Sequence, residues 1–150
     1  MVILALVSPF DEACVVRLNA QARQRHERGD LIGARQAYDQ VLEADPFHVG
    51  ALGNRAILHE GSGDLSAAIV DYDQLLRIEP ENAPALAHRA ALLARTDAPE
   101  RALKDYNALL ALRPNDAIIR NDRGYAYLQA SRVEEALADF EAALVIAPKL

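Results

Sequence analysis

Apolar residues in this chain recur with a helical spacing, break off, and resume at even intervals. Leu65, Ala68, Ile69, Tyr72, Leu75 and Leu76 stand at i, i+3, i+4, i+7, i+10 and i+11, which places them on one stripe of a helix. The stripe ends at a proline, which cannot continue a helix and restricts the residue before it. Pro46, Pro80, Pro114 and Pro148 lie 34 residues apart. Twelve residues before each stands Ala34, Ala68, Ala102 or Ala136, and eight before each an aromatic, Tyr38, Tyr72, Tyr106 or Phe140. Leu42, Leu76, Leu110 and Leu144 precede the prolines by four, and a fifth column, Ala22, Ala56, Ala90 and Gly124, is small throughout.

These columns predict pairs of antiparallel helices. Small residues belong where the two helices of a pair cross, because a larger side chain would hold the backbones apart. The aromatic fills the gap toward the next pair. The expected units are residues 15–48, 49–82, 83–116 and 117–150 in one structural domain, with 1–14 as an apolar lead-in and the start of the first helix. Ser8-Pro9 is expected to open that helix, which runs through Cys14 to Arg28. Gly29 and Gly63 suit the left-handed residue that closes a first helix, and Asp30 and Asp64 follow as N-caps. Asn82 and Asp116 are expected to cap first helices. Asp97-Ala98-Pro99-Glu100 and Ser131-Arg132-Val133-Glu134 read as capping boxes, which would start those second helices one position earlier.

A second recurrence is ionic. Arg55, Arg89 and Arg123 are each followed 16 residues later by Asp71, Asp105 and Asp139, whereas the first unit has Gln21 and Ala37 at those places. Both members change together. The expectation is an Arg–carboxylate pair between helices with a structural role, since partly buried ions need partners.

A 34-residue helix-turn-helix period with small, small, aromatic and proline positions resembles the tetratricopeptide repeat family, over residues 15–150. The position where the family usually has Trp holds Leu18, Leu52, Leu86 and Arg120, and its usual Leu is replaced by Gln21, Arg55, Arg89 and Arg123. The resemblance implies an all-α fold, a right-handed α-solenoid whose first helices line a concave groove for peptides or partner proteins. Carried onto this register, the groove positions are Asn19, Arg23, Asn54, Ile57, His88, Asn121, Asp122 and Tyr125, together with His26, Gly53, Glu60, Ala87, Ala91, Arg95 and Gln129. Chaperone-binding members hold a terminal carboxylate with Lys, Asn and Arg on this surface. Only Asn54 fits that pattern, so that clamp is not expected here.

Composition narrows the function further. The chain is 51% apolar and 25% charged, as in a folded protein, and its net charge of −6 offers no basic face for a phosphate backbone, so no nucleic-acid partner is expected. Cys14 stands alone and cannot form an intramolecular disulfide. Met1 to Val7 is too short to span a bilayer and lacks the cations that precede a secretory core. No compartment is indicated, with the cytoplasm as default. His26, His48, His59 and His88 lack metal-ligand spacing, and no phosphate loop or nucleophile elbow occurs. No cofactor and no catalytic residue is therefore expected.

The expected function is a non-catalytic scaffold that docks a protein or peptide segment in the groove. The alternative is self-assembly. Repeat arrays need a polar outer face at their terminal units, yet the last helix carries Leu137, Phe140 and Leu144 on a largely apolar face. That face is expected to meet a second copy, or else the chain is a piece of a longer array.

Overall fold

In the computed structural model the described residues, 12–149, are helices and short turns throughout. The expected lead-in and the Ser8-Pro9 helix start lie outside them. The helices are α1 (Glu12–Glu27), α2 (Leu31–Ala44), α3 (Val49–Gly61), α4 (Leu65–Ile78), α5 (Ala83–Arg95), α6 (Pro99–Leu112), α7 (Ala117–Gln129) and α8 (Val133–Ile146). Each odd-numbered helix packs mainly on the even one after it, and each even one then packs on the next odd one. The result is a right-handed α-solenoid. Helix α5 also touches α7 directly, so first helices neighbour one another on one side of the array.

The small columns set how closely the helices approach. Ala22, Ala34, Ala56, Ala68, Ala90, Ala102 and Ala136 are all fully buried. At Gly124 even a methyl would be crowded: a Cβ there would lie 2.6 Å from the Phe140 ring. Around these crossings Leu52, Leu92, Leu93 and Leu109 are almost fully buried, each contributing about 1.5–3 kcal/mol of hydrophobic stabilisation. The four-residue offsets along each second helix thus become one continuous core, which no single pair could enclose alone.

Side-chain caps fix the helix starts. Asp30 and Asp64 accept hydrogen bonds from the amides of Gly33 and Ala67 at 2.9 and 3.1 Å. The first helices repeat the device at a 34-residue spacing: His48 Nδ1 accepts from Ala51, Asn82 from Ala85, and Asp116 from Ile118 and Ile119.

The capping boxes expected at Asp97 and Ser131 do not form. Helices α6 and α8 begin at Pro99 and Val133, in the same register as α4, with Ala98 and Arg132 at the N-cap and no side-chain cap bond. Asp97 and Ser131 instead adopt φ of 57° and 58°, matching 78° at Gly29 and 80° at Gly63. The turn requires a left-handed residue there, and that backbone turns the side chain away from the cap. For Ser131 the conformation is costly, since a left-handed non-glycine residue loses about 1–2 kcal/mol. Ser131→Gly is therefore expected to raise stability by about 0.5–1 kcal/mol after glycine's extra unfolded-state entropy is counted, as measured by denaturant unfolding.

Candidate functional site

Two arrangements of polar side chains stand out, one between helices along the array and one on the side lined by first helices. In the first, Arg55 of α3 makes a two-pronged contact with Asp71 of α4, Nε to Oδ2 at 2.8 Å and Nη2 to Oδ1 at 2.6 Å. Its remaining nitrogen, Nη1, reaches back to Asp39 of α2 at 2.8 Å. Arg89 repeats this with Asp105 and Asp73, and Arg123 with Asp139 and Asn107. Each guanidinium therefore ties its own second helix to that of the preceding pair. Among the described residues, Asp71, Asp105 and Asp139 are the buried charged side chains, and hydrogen bonding to them raises all three arginines above the ordinary guanidinium pKa. These contacts engage all three nitrogens of each guanidinium with side chains of neighbouring helices, which favours a structural role.

The third member of each cluster is not among the pairs expected from sequence. Its signal was present: Asp39, Asp73 and Asn107 stand 34 residues apart and 16 before each arginine.

The second arrangement is a cleft of about 270 Å³ between α3 and α5. Asn54, Ile57 and His88, three of the expected groove positions, line it together. Gly53 matters here because it carries no side chain; a Cβ would touch Leu75 Cδ1 at 3.4 Å, so the bare backbone keeps the cleft open above that leucine. Tyr72 reaches across from α4, its ring stacked on His88 at 5.6 Å and 19°. The Tyr72 hydroxyl donates to Glu60 Oε1 at 2.6 Å, and His88 Nδ1 lies 3.0 Å from the same oxygen. Burial and the Glu60 hydrogen bond push the Tyr72 hydroxyl far above its usual pKa. Tyr72, which the aromatic column places in the gap between pairs, also forms part of the cleft wall.

The other expected groove residues lie elsewhere along the array. Asn19 and Arg23 are on α1, where Asn19 Oδ1 is buried without a hydrogen-bond partner, as is the Tyr38 hydroxyl. The counterpart of Glu60 in this first unit is His26, which leaves Tyr38 without the carboxylate that Tyr72 has. Asn121, Asp122 and Tyr125 are on α7. Partial desolvation raises the Asp122 carboxyl, offset in part by the Asn121 amide. Tyr125 is exposed and meets the edge of Phe140, with ring centroids 5.2 Å apart. Among the assembly-face residues, Leu137 and Leu144 are more than half exposed, whereas Phe140 is half-buried against Gly124 and Tyr125. With Leu137 and Leu144, Val145 makes the most exposed apolar stripe of α8.

Burial also governs Tyr106, whose hydroxyl pKa is pushed up to about 12 by desolvation and then by Asp122. An unfolded tyrosine loses its proton near pH 10. The contribution of the protonated folded form is thus fully present below pH 10 and is lost as pH rises through about 12. Stability is expected to fall across that window, and Tyr106→Phe should shallow the fall in alkaline unfolding measurements.

Among the described residues, no group of three or more His, Cys, Asp or Glu side chains could hold a metal ion, and no helix is long and apolar enough to cross a membrane.

Two family models, both described as tetratricopeptide repeat, match consecutive stretches at residues 19–87 and 88–150. No curated protein matches the sequence. Solved structures with the same fold include MamA residues 41 to the end from Desulfovibrio magneticus RS-1, 20% identical with a TM-score of 0.82, covering 91% of this chain and 77% of that one. MamA from AMB-1 is 17% identical with a TM-score of 0.85, over 95% and 79% of the two chains. A tetratricopeptide repeat protein from Parabacteroides merdae ATCC 43184 is 22% identical with a TM-score of 0.82; the match covers 94% of this chain but 55% of that one. At these identities the likeness is one of fold. The consecutive family matches, together with the helix pairs described above, show that the chain belongs to the tetratricopeptide repeat family.

Proposed function

We propose that the chain is a non-catalytic scaffold that docks a segment of a partner protein in the cleft between α3 and α5. The tetratricopeptide repeat fold is in general a protein–protein interaction scaffold. The observation that carries the more specific reading is the cleft itself, where exposed Ile57 and the floor at Leu75 offer apolar contact beside the Asn54 amide. An amide side chain can donate to and accept from an extended backbone, while the apolar floor takes a side chain. The expected result for Asn54→Ala combined with Ile57→Asp is loss of partner capture at unchanged helicity, since neither side chain belongs to the buried core.

The exposed stripe Leu137, Leu144 and Val145 on α8 supports a second reading, association of two copies through that helix. Sedimentation over a concentration series separates the two. Association that Leu137→Glu and Leu144→Glu abolish, while the groove double substitution leaves partner capture intact, would favour self-assembly over groove docking.

A further inference from the structure

We propose that the cleft between α3 and α5 selects a basic side chain, a lysine or arginine on the docked segment, with Glu60 as its counter-ion. This rests on the reading of the cleft as a docking surface and specifies what it takes.

The argument starts from which acidic groups are already neutralised. Of the carboxylates on α4, Asp71 is held by Arg55, and Asp73 by Arg89 and Arg101. Glu60, on α3 one turn beyond Ile57, lies just outside the cleft lining and borders it through the lining residues Tyr72 and His88; among the described residues no guanidinium pairs with it. Its partners are the Tyr72 hydroxyl and the His88 imidazole, both directed at Oε1. Among the described residues no donor reaches Oε2. The Glu60 side chain is 22% exposed and that of His88 46%, so an incoming cation can reach the carboxylate without unpacking the core.

The surroundings suit a long basic side chain better than a small cation. The half-exposed His88 ring, stacked on buried Tyr72 beside the carboxylate, gives a planar guanidinium a flat surface to lie along. The recess formed by Gly53, Ile57 and Leu75 can take the aliphatic stem or an adjacent apolar residue. A terminal carboxylate or an acidic side chain would instead meet Glu60 with like charge. Selectivity then comes from repulsion as well as attraction.

The test uses the full chain and three acetylated, amidated heptapeptides that are identical except for Arg, Gln or Glu at the centre, beside a leucine. Binding is followed by NMR at the amides of Gly53, Asn54 and Ile57, for the wild type, Glu60→Gln and Glu60→Lys. Glu60→Gln keeps an acceptor for the Tyr72 hydroxyl, so the fold is expected to survive, and thermal unfolding checks this. The Arg peptide should bind about tenfold more tightly than the Gln peptide. Glu60→Gln should erase that preference, and Glu60→Lys should transfer it to the Glu peptide. Equal binding of all three peptides at these amides would overturn the basic preference while leaving groove docking standing. An Arg preference that persists in Glu60→Gln, shifts confined to other residues, or no binding by any peptide would each overturn it as well. Whether the groove docks a partner at all is tested separately, by crosslinking from Ile57.

Discussion

Arg89→Gln is expected to lower the stability of the array by about 3–5 kcal/mol, because it strands a buried carboxylate. Asp105 is 4% exposed and receives both of its charge-assisted hydrogen bonds from Arg89. Asp73 loses a contact too, but it is more exposed and keeps Arg101 at 3.3 Å. The first unit of the chain indicates a rescue, since it has Gln21 and buried Ala37 where the later units have the pair. Adding Asp105→Ala to Arg89→Gln removes the stranded charge and is expected to bring stability back to within about 1–2 kcal/mol of the wild type. Denaturant unfolding of the two variants decides the matter. A double variant no more stable than the single would show that the buried carboxylate is not the source of the loss.

The second large effect concerns the aromatic column. Tyr72 is 2% exposed and spans the junction between two pairs, touching Glu60 and His88. Tyr72→Ala should cost about 3–5 kcal/mol, through lost transfer energy and the cavity it leaves. Phe140 occupies the same column but is only half-buried, against Gly124 and Tyr125. Phe140→Ala is expected to cost about half as much, since the site can relax and less area leaves water. Equal losses measured by denaturant unfolding would contradict the view that this side chain acts mainly as a junction between successive pairs.

The fold was legible because each column answers a packing need that recurs every 34 residues. Alanine appears where helices cross, and proline where a helix must end. The Arg–Asp spacing was legible for the same reason, since both partners vanish together in the first unit. Its third partner was harder to see: Asp39, Asp73 and Asn107 look like ordinary surface positions, and the column changes from acid to amide while keeping an acceptor oxygen. Asp97 and Ser131 do not declare their role in sequence, because the same residue types serve as caps and as left-handed turn residues, and only the backbone decides between them.

The cleft cluster was the least legible. Glu60 is matched by His26, Ala94 and Leu128 in the other units, so no column marks it. Its meeting with Tyr72 and His88 depends on how one pair is set against the next, which a one-dimensional pattern does not specify.

The most direct measurement of groove docking is photo-crosslinking from a benzophenone amino acid at Ile57, with Val145 on α8 and Lys104 on α6 as comparison sites. All three positions are exposed, so labelling should leave the core intact. Adducts between the chain and a distinct partner protein are expected from Ile57, to be lost with Asn54→Ala, and to be absent from Lys104. Adducts to a partner from Val145 or Lys104 alone, or adducts only between copies of the chain, would contradict docking in the α3–α5 cleft.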